Sequence, residues 1–161
     1  MGKIFRFHTD VDTDQIIASQ YLLFPTIDEM KAYTFESLDP EFSKKVKEGD
    51  FVVACENFGC GSSREQAPAV LKALGIKAVI AKSFARIFYR NAINIGLPIL
   101  ECEQAAEEIA AGDEVRVDFD TGEISDITTG KTYKAQPFPP FIQNIIRCGG
   151  LLKSLKEEGN E

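Results

Sequence analysis

Gly59-Cys60-Gly61-Ser62-Ser63-Arg64 sets two hydroxyls and a guanidinium beside a pair of glycines. Glycine lets a backbone turn tightly and approach a ligand closely. Arginine presents a planar fork of donors matched to a carboxylate or phosphate. The segment therefore suits a small anion held against a reactive hydroxyl. An apolar run, Phe51–Cys55, leads into it and an amphipathic pattern leads out, which makes it a strand-to-helix corner. Ser62, Ser63 and the following amides are expected at the helix N-terminus, where free N–H groups favour an anion. A second reading needs no ligand, because Ser62 and Glu65 also fit the Ser-x-x-Glu capping box. Pro68 is comfortable only in a first turn, so either that turn is distorted or the regular helix begins near Pro68. The lysine and spacing of a P-loop are absent.

Other residues with chemical potential are less organised. Asp10, Asp12 and Asp14 alternate like the opening of a calcium loop, but the glycine and distant glutamate of such a loop are absent, and Ile16 and Ile17 follow instead. An Asx-rich turn is the expectation for Asp10 and Asp12. His8 is the single histidine, and nothing near it builds a hydrolase triad. Cys55, Cys60, Cys102 and Cys148 include no Cys-x-x-Cys pair, so free thiols are expected and no metal site. Three of them lie in or beside apolar runs and read as buried structural cysteines. Cys60 is set apart by its place in the corner.

The 161 residues fit one domain with its own core, over 1–161. With 18 basic and 25 acidic residues, the net charge of −7 argues against non-specific nucleic-acid binding. No segment has the length of a membrane span and Met1–Phe5 lacks a signal-peptide core, so a cytoplasmic location is expected.

The elements that must position the corner follow from periodicity. Ile4–His8 alternates as a strand, and residues 19–48 read as loop and short helix around the apolar Tyr21-Leu22-Leu23-Phe24. After the Phe51 strand, Ala67, Val70, Leu71 and Leu74 mark one helix face, stopped at Gly75. Lys77–Ala81 is a strand, Phe84, Ile87, Phe88, Ala92 and Ile95 mark a second helix face ending at Gly96, and Leu97–Leu100 is a third strand. Strands alternating with helices across short turns imply right-handed crossovers and a parallel sheet. Residues 113–134 switch to a β-hairpin or meander, and a last helix is expected from Phe141 to about Leu155 despite Gly149-Gly150. The fold class is α/β, with a largely parallel core and an added meander.

Three ordered motifs, Asp12–Ile17, Asn57–Glu65 and Ala81–Ile87, together resemble the small subunits of 3-isopropylmalate dehydratase over about residues 3–152. Those subunits are free-standing versions of the swivelling C-terminal domain of aconitase-type enzymes. The resemblance implies a hydro-lyase that removes and re-adds water on a hydroxy-dicarboxylate, isomerising 2- and 3-isopropylmalate in leucine biosynthesis. It implies a [4Fe–4S] cluster on a partner large subunit and none on this chain, which would be inactive alone; a homo-oligomer of the isolated chain is left open. By motif match Ser62 is the base for the carbon-bound proton and Asp14 the acidic residue of the site. Ser63, Arg64 and Gly61 would bind substrate. Arg86 lies in the third motif, where core-lining and substrate roles are both open.

Leu23 and Phe24 fall where the family sets substrate choice. Relatives that accept an additional carboxylate, such as homoaconitase, place an arginine near there. An apolar loop would welcome an isopropyl group and leave a third carboxylate unpaired. Isopropylmalate is thus expected over homocitrate or citrate, with the small subunit of homoaconitase or of a dimethylmalate- or methylcitrate-type hydro-lyase as the alternative. From another class, a non-catalytic anion- or nucleotide-binding module would explain the corner but not the other two motifs.

Overall fold

The computed structural model describes residues 2–136 and 138–150. Strand β1 (Gly2–Arg6) is the hinge between two kinds of sheet. On one side it pairs in parallel with β2 (Phe51–Val53), which pairs with β3 (Ala78–Ala81), which pairs with β4 (Ile99–Glu101). On the other it pairs antiparallel with β5 (Glu114–Asp118), followed by β6 (Glu123–Asp126) and β7 (Lys131–Lys134). The seven strands run in the order β4-β3-β2-β1-β5-β6-β7. This is the expected parallel core with an added meander.

Every residue of β2 and β3 is buried, as befits strands covered on both faces. The covering helices are α4 (Gln66–Ala73) and α5 (Arg86–Ile95) after β2 and β3, with α6 (Glu103–Glu108) after β4 and α7 (Pro140–Cys148) packed on α5. Residues 12–48 form short pieces: α1 (Thr13–Ile16), α2 (Ile27–Met30), α3 (Phe42–Lys45) and two 3-10 turns, Ser19–Leu23 and Lys31–Tyr33. Phe35 and Phe42 from this region are fully buried and meet edge-on at 4.9 Å. Large rings thus supply the core that regular helices do not.

Two expectations about helix ends are corrected. Helix α4 begins at Gln66, with Pro68 as its third residue and Glu65 as a cap that makes no side-chain bond. Ser62 and Ser63 therefore lie in the loop before the helix, and the Ser62–Glu65 capping box does not form. The proline decides this, since its ring fits only the first turn. The capping box is instead made upstream: Gln15 N–H donates to Asp12 Oδ1 at 2.8 Å, and Asp12 N–H to Gln15 Oε1 at 3.1 Å. Helix α7 ends at Cys148 rather than near Leu155, because Gly149 takes a left-handed conformation and closes it; residues 151–155 lie outside the described residues. Helix α6, six residues long, has too short a pattern to be marked in the sequence.

Candidate active site

The loops after β1, β2 and β3 leave the carboxyl ends of three adjacent parallel strands, where open α/β sheets place ligands. They are tied into one structure. Gly59 N–H donates to Val11 O at 2.7 Å, Thr13 N–H to Cys60 O at 2.8 Å, and buried Thr13 Oγ1–H to Ser62 O at 2.7 Å. From the third loop, Ser83 Oγ accepts from Asn57 N–H at 2.8 Å, and Ala85 N–H donates to Phe58 O at 2.9 Å. Phe58 packs edge-on against Phe88 at 5.2 Å and Phe84 at 6.0 Å beneath the corner.

Gly59 is required sterically. A Cβ there would sit 2.3 Å from Phe88 Cγ, and its φ of +85° is one that side chains avoid. The glycine brings the backbone down onto the aromatic floor and turns Ser62 and Ser63 outward, where both are exposed. The amides of Ser62, Ser63 and Arg64 donate to no acceptor among the described residues. Donors are thus left free beside the Ser62 hydroxyl.

Arg64 is fixed rather than waving. Its Nη1 donates to Asp14 Oδ1 at 2.8 Å and to Ile17 O at 3.0 Å, and its side chain is only 15% exposed. Asp14 Oδ1 also accepts from Ser19 N–H at 3.3 Å. The bond from Arg64 is the main reason that the Asp14 carboxyl is held below its usual value. One nitrogen of the fork is therefore used internally, leaving Nη2 and Nε for a ligand. Cys60 is half-buried near Asp10 and Asp12; burial first, then those carboxylates, push its thiol up and keep it protonated.

Ser62, Ser63, Arg64, Arg86 and Asn91 line one cavity of about 200 Å³. Arg86 opens α5 and is exposed, which removes a core-lining role for it. Thr13, from the Asp12–Ile17 motif, and Asn91, which no sequence pattern singles out, also reach this cavity. Leu23 and Phe24 do not reach it. Leu23 is 89% exposed at the end of its 3-10 turn. Phe24 stacks on Tyr33 at 5.6 Å and lines a separate apolar cavity with Ile27, Met30 and Glu65. A larger groove of about 960 Å³ runs along β1, but its Arg6 bonds Ile109 O at 2.8 Å and its Lys45 pairs with Asp39 at 3.7 Å.

Among the described residues no three His, Cys, Asp or Glu side chains converge to hold a metal ion. No described helix is long and apolar enough to cross a membrane.

The aconitase C-terminal domain model matches residues 9–105. The 3-isopropylmalate dehydratase small subunit of Clostridioides difficile is 56% identical over 155 residues, covering 96% of this chain and 95% of that protein. The 2,3-dimethylmalate dehydratase small subunit of Eubacterium barkeri is likewise 56% identical, over 151 residues, covering 94% and 93%. The crystal structure of a 3-isopropylmalate dehydratase from Methanocaldococcus jannaschii superposes with a TM-score of 0.93 at 48% identity, covering 98% of this chain and 93% of that one. With identities of 48–56% over nearly the whole chain, it belongs to the aconitase C-terminal domain family, among the small subunits of 3-isopropylmalate dehydratase and its close hydro-lyase relatives.

Proposed function

We propose that this chain is the cluster-free half of a 3-isopropylmalate dehydratase, interconverting 2- and 3-isopropylmalate in leucine biosynthesis beside a large subunit that carries the [4Fe–4S] cluster. The observation that carries the reading is one cavity lined by both an exposed serine hydroxyl and a side chain of Arg64 locked by Asp14. Ser62 takes the carbon-bound proton. A serine is a poor base unless its alkoxide is stabilised, and the amides of Ser62, Ser63 and Arg64, which donate to no acceptor among the described residues, would supply that stabilisation. Arg64 binds a substrate carboxylate through the two nitrogens left to it, Ser63 adds a hydroxyl, and Gly61 keeps the approach open. Asp14 works through Arg64, by holding its orientation.

Leu23 and Phe24 favour an alkyl group over a further carboxylate wherever the substrate's side chain meets that loop. The E. barkeri relative, as similar as the C. difficile one, supports a second reading with 2,3-dimethylmalate as substrate.

The test is reconstitution with a candidate large subunit under anaerobic, iron-replete conditions, followed by assays on both acids. Turnover of isopropylmalate is expected, and turnover of dimethylmalate alone would favour the second reading. Ser62→Ala should lower kcat by about 10²- to 10⁴-fold while substrate still binds. Near-normal turnover in that variant would remove Ser62 as the base.

A further inference from the structure

Two cations of this chain, Arg64 and Arg86, line the Ser62 cavity and can meet the substrate that the proposed function assigns. A hydroxy-dicarboxylate brings two negative charges. Of the two arginines lining the cavity, Arg64 already faces a carboxylate, with Asp14 Oδ1 at 2.8 Å from its Nη1. That pair is close to neutral, and the chain as a whole carries −7. A dianion brought to the pair alone would leave one carboxylate without a matching charge, which is costly in a partly enclosed site.

Arg86 is the remaining cation of the cavity, and it makes no hydrogen bond or ion pair among the described residues. Its backbone is anchored on both sides. Ala85 N–H is bonded to Phe58 O at 2.9 Å, and Phe88 packs on Phe58 at 5.2 Å beneath Gly59. The base of the Arg86 side chain therefore holds a set position relative to the serine corner. Asn91, five residues on along α5, lines the same wall with a neutral amide.

We infer that Arg86 binds the second carboxylate of the diacid, while Arg64 binds the first. This rests on the proposed function and adds to it a division of labour. Arg64 is pre-oriented by Asp14 and sits against the reactive hydroxyl. Arg86 is unpaired until substrate arrives, and its full charge is available as a counter-ion. It is a binding residue, held equally by substrate and transition state, so its loss acts on KM and spares kcat.

The experiment compares wild type, Arg86→Gln and Arg86→Lys in the complex reconstituted with the large subunit, with Ser62→Ala as a separate control. The substrates are 3-isopropylmalate and its two mono-amides. Arg86→Gln should raise KM for the diacid by about 10- to 100-fold, the loss of one charge-assisted pair, with kcat within a few-fold of wild type. One mono-amide should be nearly indifferent to the change, because it lacks the carboxylate that Arg86 meets. Arg86→Lys should fall between, since an ammonium keeps the charge and loses the fork. A diacid KM within twofold of wild type in Arg86→Gln would overturn the inference. So would an equal rise for the diacid and both mono-amides, as expected of a merely structural residue. Either of those results with Ser62→Ala inactive sinks only the role of Arg86; an active Ser62→Ala complex sinks the proposed function itself.

Discussion

In the parallel half of the sheet, β1, β2 and β3 point the same way, and the chain leaves all three at one end into loops that touch. In the meander, β5, β6 and β7 alternate direction and are joined by tight turns, and only one or two residues of each strand are buried. Parallel strands therefore gather their loops where three segments can share one cavity, while an antiparallel ribbon distributes its turns between two ends. The parallel half spends polar groups on a ligand. The meander buries polar groups that serve no cavity: Asp113 and Asp126 are 8% and 1% exposed, and Asp126 Oδ2 has no partner among the described residues.

Substitutions can break this contrast or sharpen it. The largest effect is expected from Gly59→Ala, which drives a Cβ into the Phe88 ring at a left-handed φ. A loss of about 3 kcal/mol in denaturant unfolding is expected, with loss of turnover, since the Ser62 loop can only lift off its floor. Wild-type stability in that variant would mean that the corner is not clamped to α5. Asp14→Asn should leave unfolding nearly unchanged, because the carboxylate is 62% exposed. It should lower kcat/KM by roughly tenfold as Arg64 loses its orientation. The sign with pH follows from the lowered carboxyl value: Arg64 is anchored above the ordinary carboxylate pKa and released as pH falls through the depressed one. The acid limb of wild-type kcat/KM should contain that release, and the Asn variant's should not.

The smallest effect lies in the meander. Burial, and then the neighbouring Asp113, push the Asp126 carboxyl above its usual value, partly opposed by Thr129 N–H at 3.3 Å. A raised value in the folded state costs nothing below the ordinary carboxylate pKa. The cost grows as pH climbs from there and is complete above the raised value. Asp126→Asn should thus gain about 1 kcal/mol at neutral pH and converge with wild type in acid, without change in kcat/KM. A loss of activity would show the two halves to be coupled.

Much of the parallel half is legible in the sequence because its signals are local. Apolar runs such as Val79-Ile80 mark buried strands, and glycines flanking Cys60 mark a turn. The start of α4 is harder to read, since Ser62 and Glu65 satisfy a capping pattern that Pro68 then overrules by placing the first turn at Gln66. The capping box that does form, at Asp12 and Gln15, serves a four-residue helix with no periodicity to announce it. The site residues divide in the same way. Ser62 and Arg64 stand in a dense motif. Thr13 and Arg86 stand in the two flanking motifs, Asn91 joins them only through tertiary contacts, and Leu23, close to Asp14 in sequence, is carried away from the cavity by the 3-10 turn.

The bonds that build the corner also set when it can exist during folding. Thr13 to Ser62 spans 49 residues and Arg64 to Asp14 spans 50, and Asn57 reaches Ser83 across 26 more. None of these contacts can nucleate locally, because each closes a long loop whose entropy must first be met by β1–β2 and β2–β3 pairing. Binding competence therefore arrives late and all at once. A nascent chain that has not yet delivered β3 to the sheet has its serine, its arginine and its glycines, but no pocket in which a diacid could be trapped.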